Sequence, residues 1–293
     1  MIRTASLITA ALVLAACGPR ELEPDQAFEC KRCAEWNEPI EPFRIHGNTW
    51  YVGTDGLSSI LVDTGNGLVL LDGALPQSAE LIVTSIETLG FDPRDIKVIL
   101  ISHAHFDHAG GVNAIQRFSG ARVIASESAA SVLETGRLGE DDPQYGYGAE
   151  NTTFPAAKID SVLGDGEQFV LGDVRFTAIY TPGHTQGGTT WTWESCALNA
   201  CLDVVYADSL TAVSAPGFSF ATSGYATQMT ESADKIANLD CDILLSPHPF
   251  FFGLHDKLER DEAGNPFVNS VACSIYAEQA LGWLERRLAQ ELD

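Results

Sequence analysis

The sequence predicts an α/β fold of layered type, a sandwich of two β-sheets with helices covering the outside. Three observations predict it. Beyond about residue 43, short β-branched and aliphatic runs alternate with segments of helical apolar spacing. The stretch "IKVILIS", Ile96–Ser102, reads as a continuous apolar run, as for a strand buried on both faces. Both halves of the chain pass through strands, a helix and a further strand that ends in a histidine-bearing loop, an order that suits packed sheets with outer helices.

Taken from the N-terminus, residues 1–16 are a targeting segment rather than part of the fold. Arg3 supplies a positive n-region, and Ala5–Ala16 is an apolar h-region too short to span a membrane as a mature helix. It ends in "LAAC", Leu14–Cys17. Small residues before a cysteine in this position resemble a bacterial lipoprotein signal. That resemblance implies cleavage before Cys17, lipid on Cys17 and a periplasmic, membrane-anchored protein of a Gram-negative bacterium. Residues 17–42, rich in Pro and Glu, are expected to tether the body, which residues 43–293 form.

Within the body, "TWYVG" and "SSILVDTGNGLVLLDG" are strands, the second broken by the turn "TGNG". "LPQSAELIVTSIETLG" is a helix with Pro76 near its start and Gly90 at its end. "GGVNAIQRFSG" opens a helix, "ARVIAS" is a strand and "SAASVLETG" a helix. Leu138–Phe154 has no periodicity and is rich in Gly, Tyr and acid, so it is a long loop, and loops of this length are often functional. "EQFVLGDVRFTAIYTPGHT" is strand, turn and strand. "GGTTWTWE" and "LDVVYADS" are further strands, and Trp191 and Trp193 share a face that belongs to the core. A helix near Met229–Leu239, the strand "CDILLS" and an amphipathic helix over Phe267–Glu291 complete the chain.

Composition is globular, with 45% hydrophobic and 19% charged residues. The balance of 17 Lys+Arg against 40 Asp+Glu gives a net charge of −23, with no basic block to neutralise phosphates. Nucleic acid is therefore not an expected partner. With Cys17 set aside, Cys30, Cys33, Cys196, Cys201, Cys241 and Cys273 remain, and their number fits an oxidising compartment. Sequence alone does not choose among the connectivities. Pairing of neighbours, Cys30–Cys33, Cys196–Cys201 and Cys241–Cys273, is the economical expectation. "CKRC" leaves open a redox motif or half of a zinc ribbon.

The chemistry concentrates in "HAHFDH". Three of the seven histidines and an aspartate fall within His103–His108, directly after a buried strand. On extended backbone, residues two apart point the same way, so His103 and His105 can converge on one ion while the following turn aims Asp107 and His108 at another. His184 and His248 each follow an apolar strand in a loop marked by Pro, where functional side chains are commonly displayed. Five histidines and one aspartate suffice for two ions with three protein ligands each. Three ligands leave an open position, the mark of a catalytic rather than a structural zinc. Two zincs roughly 3.5–4 Å apart would bring the pKa of a shared water toward ~7. His46 and His255 read as structural and loop residues.

The motif His103-Ala-His105-Phe-Asp107-His108, followed by His184 and His248, resembles the metallo-β-lactamase superfamily. "YVGTDGLSSILVDTGNGLVLLDGALPQSAELIVTSIETLGF", "HFDHAGGVNAIQRFSGARVIAS", "YADSLTAVSAPGF" and "SPHPFF" resemble subclass B3 of the metallo-β-lactamases, and the likeness runs from about Phe43 to Glu291. The resemblance implies an αββα sandwich with two Zn²⁺ in a groove at the sheet edges. It assigns His103, His105 and His184 to the first zinc, and Asp107, His108 and His248 to the second. It implies hydrolysis of the β-lactam amide of penicillins, cephalosporins and carbapenems by a zinc-bound hydroxide, with Asp107 also orienting the attacking group.

Ser209 stands where other subclasses carry a zinc-binding Cys. Ser209 and Thr211 match substrate-facing positions. Phe218 replaces a Tyr that several relatives direct at the substrate, which bears on substrate profile. The family also carries a disulfide resembling Cys241–Cys273, and the Leu138–Phe154 loop resembles one that overhangs the groove. A monomer acting on a small molecule is the expected state. Two other readings use the same residues. A glyoxalase II-type thioesterase or a lactonase would need Asp208, rather than Ser209, at the metals. A zinc-binding lipoprotein without activity would need no open coordination site.

Overall fold

The computed structural model describes residues 21–197, 200–260 and 264–292. The expected signal segment and Cys17 lie outside the described residues. Among the described residues the strands form two sheets, of seven and five strands. The larger runs in chain order through β1 (Phe43–His46), β2 (Thr49–Tyr51), β3 (Ile60–Asp63), β4 (Leu68–Leu71), β5 (Ile96–Leu100), β6 (Arg122–Ala125) and β7 (Ile159–Val162). Its first four strands pair antiparallel and β4 to β7 pair parallel. The smaller contains β8 (Gln168–Leu171), β9 (Val174–Tyr180), β10 (Thr189–Ala197), β11 (Ala200–Tyr206) and β12 (Ile243–Leu245). It is antiparallel except for the parallel pair β11–β12.

Apolar side chains set this arrangement. The parallel strands β4 and β5 carry Leu, Val and Ile on both faces and are buried on both, save for the exposed Lys97 near the start of β5. One face meets the second sheet through Val62, Val69, Leu100, Phe176, Trp191 and Tyr206. The other meets the helices Ala79–Thr88, Val112–Ser119 and Glu127–Thr135 through residues such as Ile82, Ile115 and Leu133. β10 alternates instead, so Trp191, Trp193 and Ser195 point inward together. The Trp191 indole donates to the carbonyl of Ile101 at 2.9 Å, which pins the second sheet to the segment just ahead of His103. Helices Tyr225–Ala237 and Ala272–Gln290 pack with the second sheet.

The C-terminal helix starts at Ala272, five residues later than its apolar spacing suggests. Asn265 and Asn269 turn the backbone first, each accepting from the amide two residues on. Residues 21–42 depart further from expectation. Their composition suits a tether, yet they pack on the body. Phe28 stacks on Phe106 at 4.2 Å, Gln77 bonds both backbone groups of Phe28, and Cys33 is buried. The acidic composition of this stretch hides three apolar anchors, Phe28, Cys33 and Trp36, that have surface to bury. Disulfides join Cys30–Cys33, Cys196–Cys201 and Cys241–Cys273.

Glu291 fastens the end of the last helix to the start of helix Phe220–Ser223. It accepts from Ser219 Oγ, from the amides of Phe220 and Ala221, and from Arg287. Burial works against its charge, but the Ala221 amide and Arg287 hold its pKa down to about 2. Stability from this group is full above the ordinary value near 4.5 and is lost as pH falls through about 2. Glu291→Gln is expected to cost about 1–2 kcal/mol at neutral pH, allowing for partial exposure, and to flatten the acid limb of stability. Urea unfolding between pH 2 and 7 checks both.

Candidate metal centre

Strand ends bring the six predicted ligands together. His103 and His105 lie in the segment that leaves β5, and Asp107 and His108 lie in the single helical turn Phe106–Ala109. His184 follows β9 and His248 follows β12. The turn can form because two glycines follow it. A Cβ on Gly110 would overlap Pro76, and one on Gly111 would overlap the carbonyl oxygen of Gly73. The preceding corner is strained to match, with Asp72 at φ 60° and Ala74 at φ 53°.

Two groups result, His103 with His105 and His184, and Asp107 with His108 and His248. In each, the ligand atoms lie within 4.8 Å of one another. The groups adjoin, with the His103 and His108 rings 4.4 Å apart. All six residues are largely buried.

Four imidazoles are anchored through ring nitrogens; in His103, His184 and His248 this leaves the other nitrogen for the site, while His105 Nδ1 also lies 3.4 Å from Gln144 Nε2. His103 Nδ1 meets Asp208 Oδ1 at 2.7 Å, and His105 Nε2 meets Asp142 Oδ2 at 3.1 Å. His184 Nδ1 lies 2.9 Å from the Thr211 carbonyl and 3.0 Å from its hydroxyl, and His248 Nδ1 lies 3.3 Å from the Gly56 carbonyl. Such partners fix ring orientation in metal sites. His103 Nε2 is buried and makes no hydrogen bond among the described residues. A buried imidazole nitrogen without a partner is costly unless a cation takes its lone pair. The donor set of imidazole and carboxylate suits zinc. These residues therefore fit a bound metal.

Charge supports the same reading. Burial pushes the pKa values of His103, His108 and His184 well below the usual range, so their rings are neutral and able to donate electron pairs. Burial opposes charge on Asp107 as well, but His108 and His248 beside it hold its carboxyl well below the usual range. Its Oδ2 lies 3.5 Å from Nε2 of both. Burial likewise opposes charge on His105, and Asp142 more than offsets it.

Ser209 is 1% exposed, with its Oγ enclosed and unpartnered. The Thr211 hydroxyl lies 3.0 Å from His184 Nδ1, so it also helps to position a ligand. Phe218 packs edge-on against Phe220 and Tyr225 at 5.2 and 5.3 Å, because a ring without a hydroxyl has no polar partner to seek. The Leu138–Phe154 loop is tied to the segment after β11, with Tyr147 donating to the Ser214 carbonyl and Ala215 to that of Pro143.

Four contributors escaped sequence reasoning. Asp142 sits in "GEDDP", which reads only as acidic loop. Gln144, 3.4 Å from His105 Nδ1, shares that loop. Trp36, whose ring lies 5.4 Å from that of His248, sits in the supposed tether. Asp72, 0% exposed, accepts from Ser102 and Tyr206 directly behind His103, and its DG pair reads as a plain turn.

A sequence model of the metallo-beta-lactamase superfamily matches residues 46–248. Among solved structures, the Rm3 metallo-beta-lactamase is 45% identical with a TM-score of 0.87, covering 90% of this chain and 100% of that one. MEM-A1, described as a subclass B3 metallo-beta-lactamase from a soil metagenome library, is 42% identical with a TM-score of 0.83, covering 88% of this chain and 98% of its own. Among curated proteins, the N-acyl homoserine lactonase AttM of Agrobacterium fabrum is 32% identical over 165 residues. That match takes in 53% of this chain and 59% of the lactonase, so the chain spans little more than half of that relative's length.

Proposed function

This chain belongs to the metallo-beta-lactamase superfamily, and on that premise we propose that it hydrolyses the amide bond of β-lactam antibiotics with two zinc ions. One observation carries the reading: two adjoining groups of three buried ligands each, in a chain whose full-length structural neighbours include subclass B3 metallo-beta-lactamases. Zinc held there would supply Lewis acidity toward a water and toward the lactam carbonyl.

The chain's own residues do the rest. Asp142, Asp208 and Thr211 orient three imidazoles, so the ligand atoms converge before any metal arrives. Asp107 turns Oδ2 to His108 and His248, which leaves Oδ1 to take a proton or a hydrogen bond from the attacking water. The Leu138–Phe154 loop, bonded to residues 214 and 215, walls the site and restricts water. Asp208 is engaged with His103 instead of facing both metal groups, which weighs against a bridging-aspartate thioesterase or lactonase. A lipid anchor on Cys17 would hold the enzyme in the periplasm, where these antibiotics arrive.

The test is turnover of a penicillin, a carbapenem and an N-acyl homoserine lactone by the mature protein, with zinc and after chelation. Lactam hydrolysis lost on chelation and restored by zinc is the expected result. Lactone hydrolysis without lactam hydrolysis would overturn the reading.

A further inference from the structure

Beside the two metal groups lies a groove of about 440 Å3, large enough for a ring-sized substituent. Thr211 to Val213 form one wall and Phe250 and Phe251 the floor, while Trp283, Arg286 and Arg287 of the last helix form the far wall. Its residues adjoin both metal groups. Thr211 Oγ1 touches His184, and the rings of Phe250 and Phe251 lie 5.6 and 5.8 Å from that of His248. Phe251 in turn meets Trp283 at 5.4 Å. Phe250 is 57% exposed and Val213 46%, so apolar surface faces solvent at the edge of a polar site.

Charge sets this groove apart. The chain carries a net charge of −23, yet the groove lining has two guanidinium groups and no carboxylate. Arg287 is committed to Glu291, to Ser214 Oγ and to the Phe218 carbonyl. Arg286 is exposed and makes no ion pair among the described residues. An unpaired guanidinium at the edge of an aromatic floor suits a ring bearing a carboxylate, because the ring stacks while the fork takes the two oxygens. Elsewhere the acidic surface repels such a ligand.

We propose that this groove is a subsite for an aryl substituent bearing a negative charge, with Phe250, Phe251 and Trp283 taking the ring and Arg286 the charge. That the substituent belongs to a lactam substrate rests on the hydrolase reading above. Occupancy of the groove does not, and the two are tested separately.

The first arm uses the mature zinc-loaded protein labelled with 5-fluorotryptophan, with the Trp283 signal assigned by Trp283→Phe. Titration with 2-naphthoate is expected to move that signal, and the neutral 2-naphthamide to bind about five-fold more weakly. Arg286→Glu is expected to weaken naphthoate about ten-fold and leave naphthamide unchanged. The second arm compares cephalosporins with anionic and cationic ring substituents. Arg286→Glu is expected to shift the ratio of their kcat/KM about ten-fold against the anionic one, through KM. A Trp283 signal unmoved by naphthoate, or equal affinities for the two probes in both proteins, overturns the subsite. Turnover of no cephalosporin, penicillin or carbapenem overturns the hydrolase reading alone, since the naphthoate arm still decides the groove.

Discussion

Asp107→Asn is expected to lower kcat/KM for a β-lactam by about 10³-fold or more, with the protein still folded. Three properties of Asp107 set that size. It supplies the anionic donor of its group, whose other donors are the neutral His108 and the His248 ring. Its carboxyl is ionised despite burial, because the two imidazoles hold its pKa far down. Oδ2 is committed between those imidazoles at 3.5 Å, so only Oδ1 is left to orient a water. Asparagine keeps the shape and removes the charge. The second group should then release its metal first on dilution, while the His103 group keeps its own. Metal content after gel filtration, set beside kcat/KM, separates the two effects. A variant that retains both metals and activity within ten-fold would remove Asp107 from the reaction.

The six clustered ligands were legible because the backbone imposes their spacing. Alternation on an extended segment and a tight turn behind a buried strand are local features, and local features can be read along a chain. The same holds for β4 and β5, whose apolar runs, interrupted in β5 only by the exposed Lys97, suit strands covered on both faces. What was not legible is what depends on distant segments meeting. Asp142 and Asp208 hold two of the ligands, yet they lie 37 and 105 residues away from them. Nothing in "GEDDP" or "YADS" marks one acid as the partner of a particular imidazole. The N-terminal stretch misled for a compositional reason. Its Glu and Pro content describes its exposed side, while Phe28, Cys33 and Trp36 describe the side that packs. Thr211 illustrates a third limit. Position alone assigns it to substrate, and nothing local shows that its hydroxyl also meets His184.

Asp208→Asn is expected to weaken metal binding at the His103 group by about 10- to 100-fold and to lower kcat/KM by a similar factor. Asp208 is 0% exposed and held at both backbone ends, its amide donating to Thr190 Oγ1 and its carbonyl accepting from the Tyr276 hydroxyl. Burial pushes its carboxyl up and the His103 imidazole down, and His103 Nδ1 meets Asp208 Oδ1 while Nε2 has no hydrogen-bond partner among the described residues. A metal held at Nε2 would need the ring hydrogen on Nδ1, where the Asp208 carboxylate would accept it and orient the ring. Asparagine accepts the same hydrogen bond without the charge, and turned over it donates to Nδ1 and forces the proton onto Nε2. Asp208 Oδ2 has no hydrogen-bond partner among the described residues, so the metal-free variant should keep its melting temperature to within a few degrees. Stability and metal affinity thus part company at this residue. Competition titration with a chelator, counted site by site, checks the point. Loss confined to the His103 group fits an orienting aspartate, whereas equal loss from both groups would mean that Asp208 bridges them and would restore the thioesterase or lactonase reading.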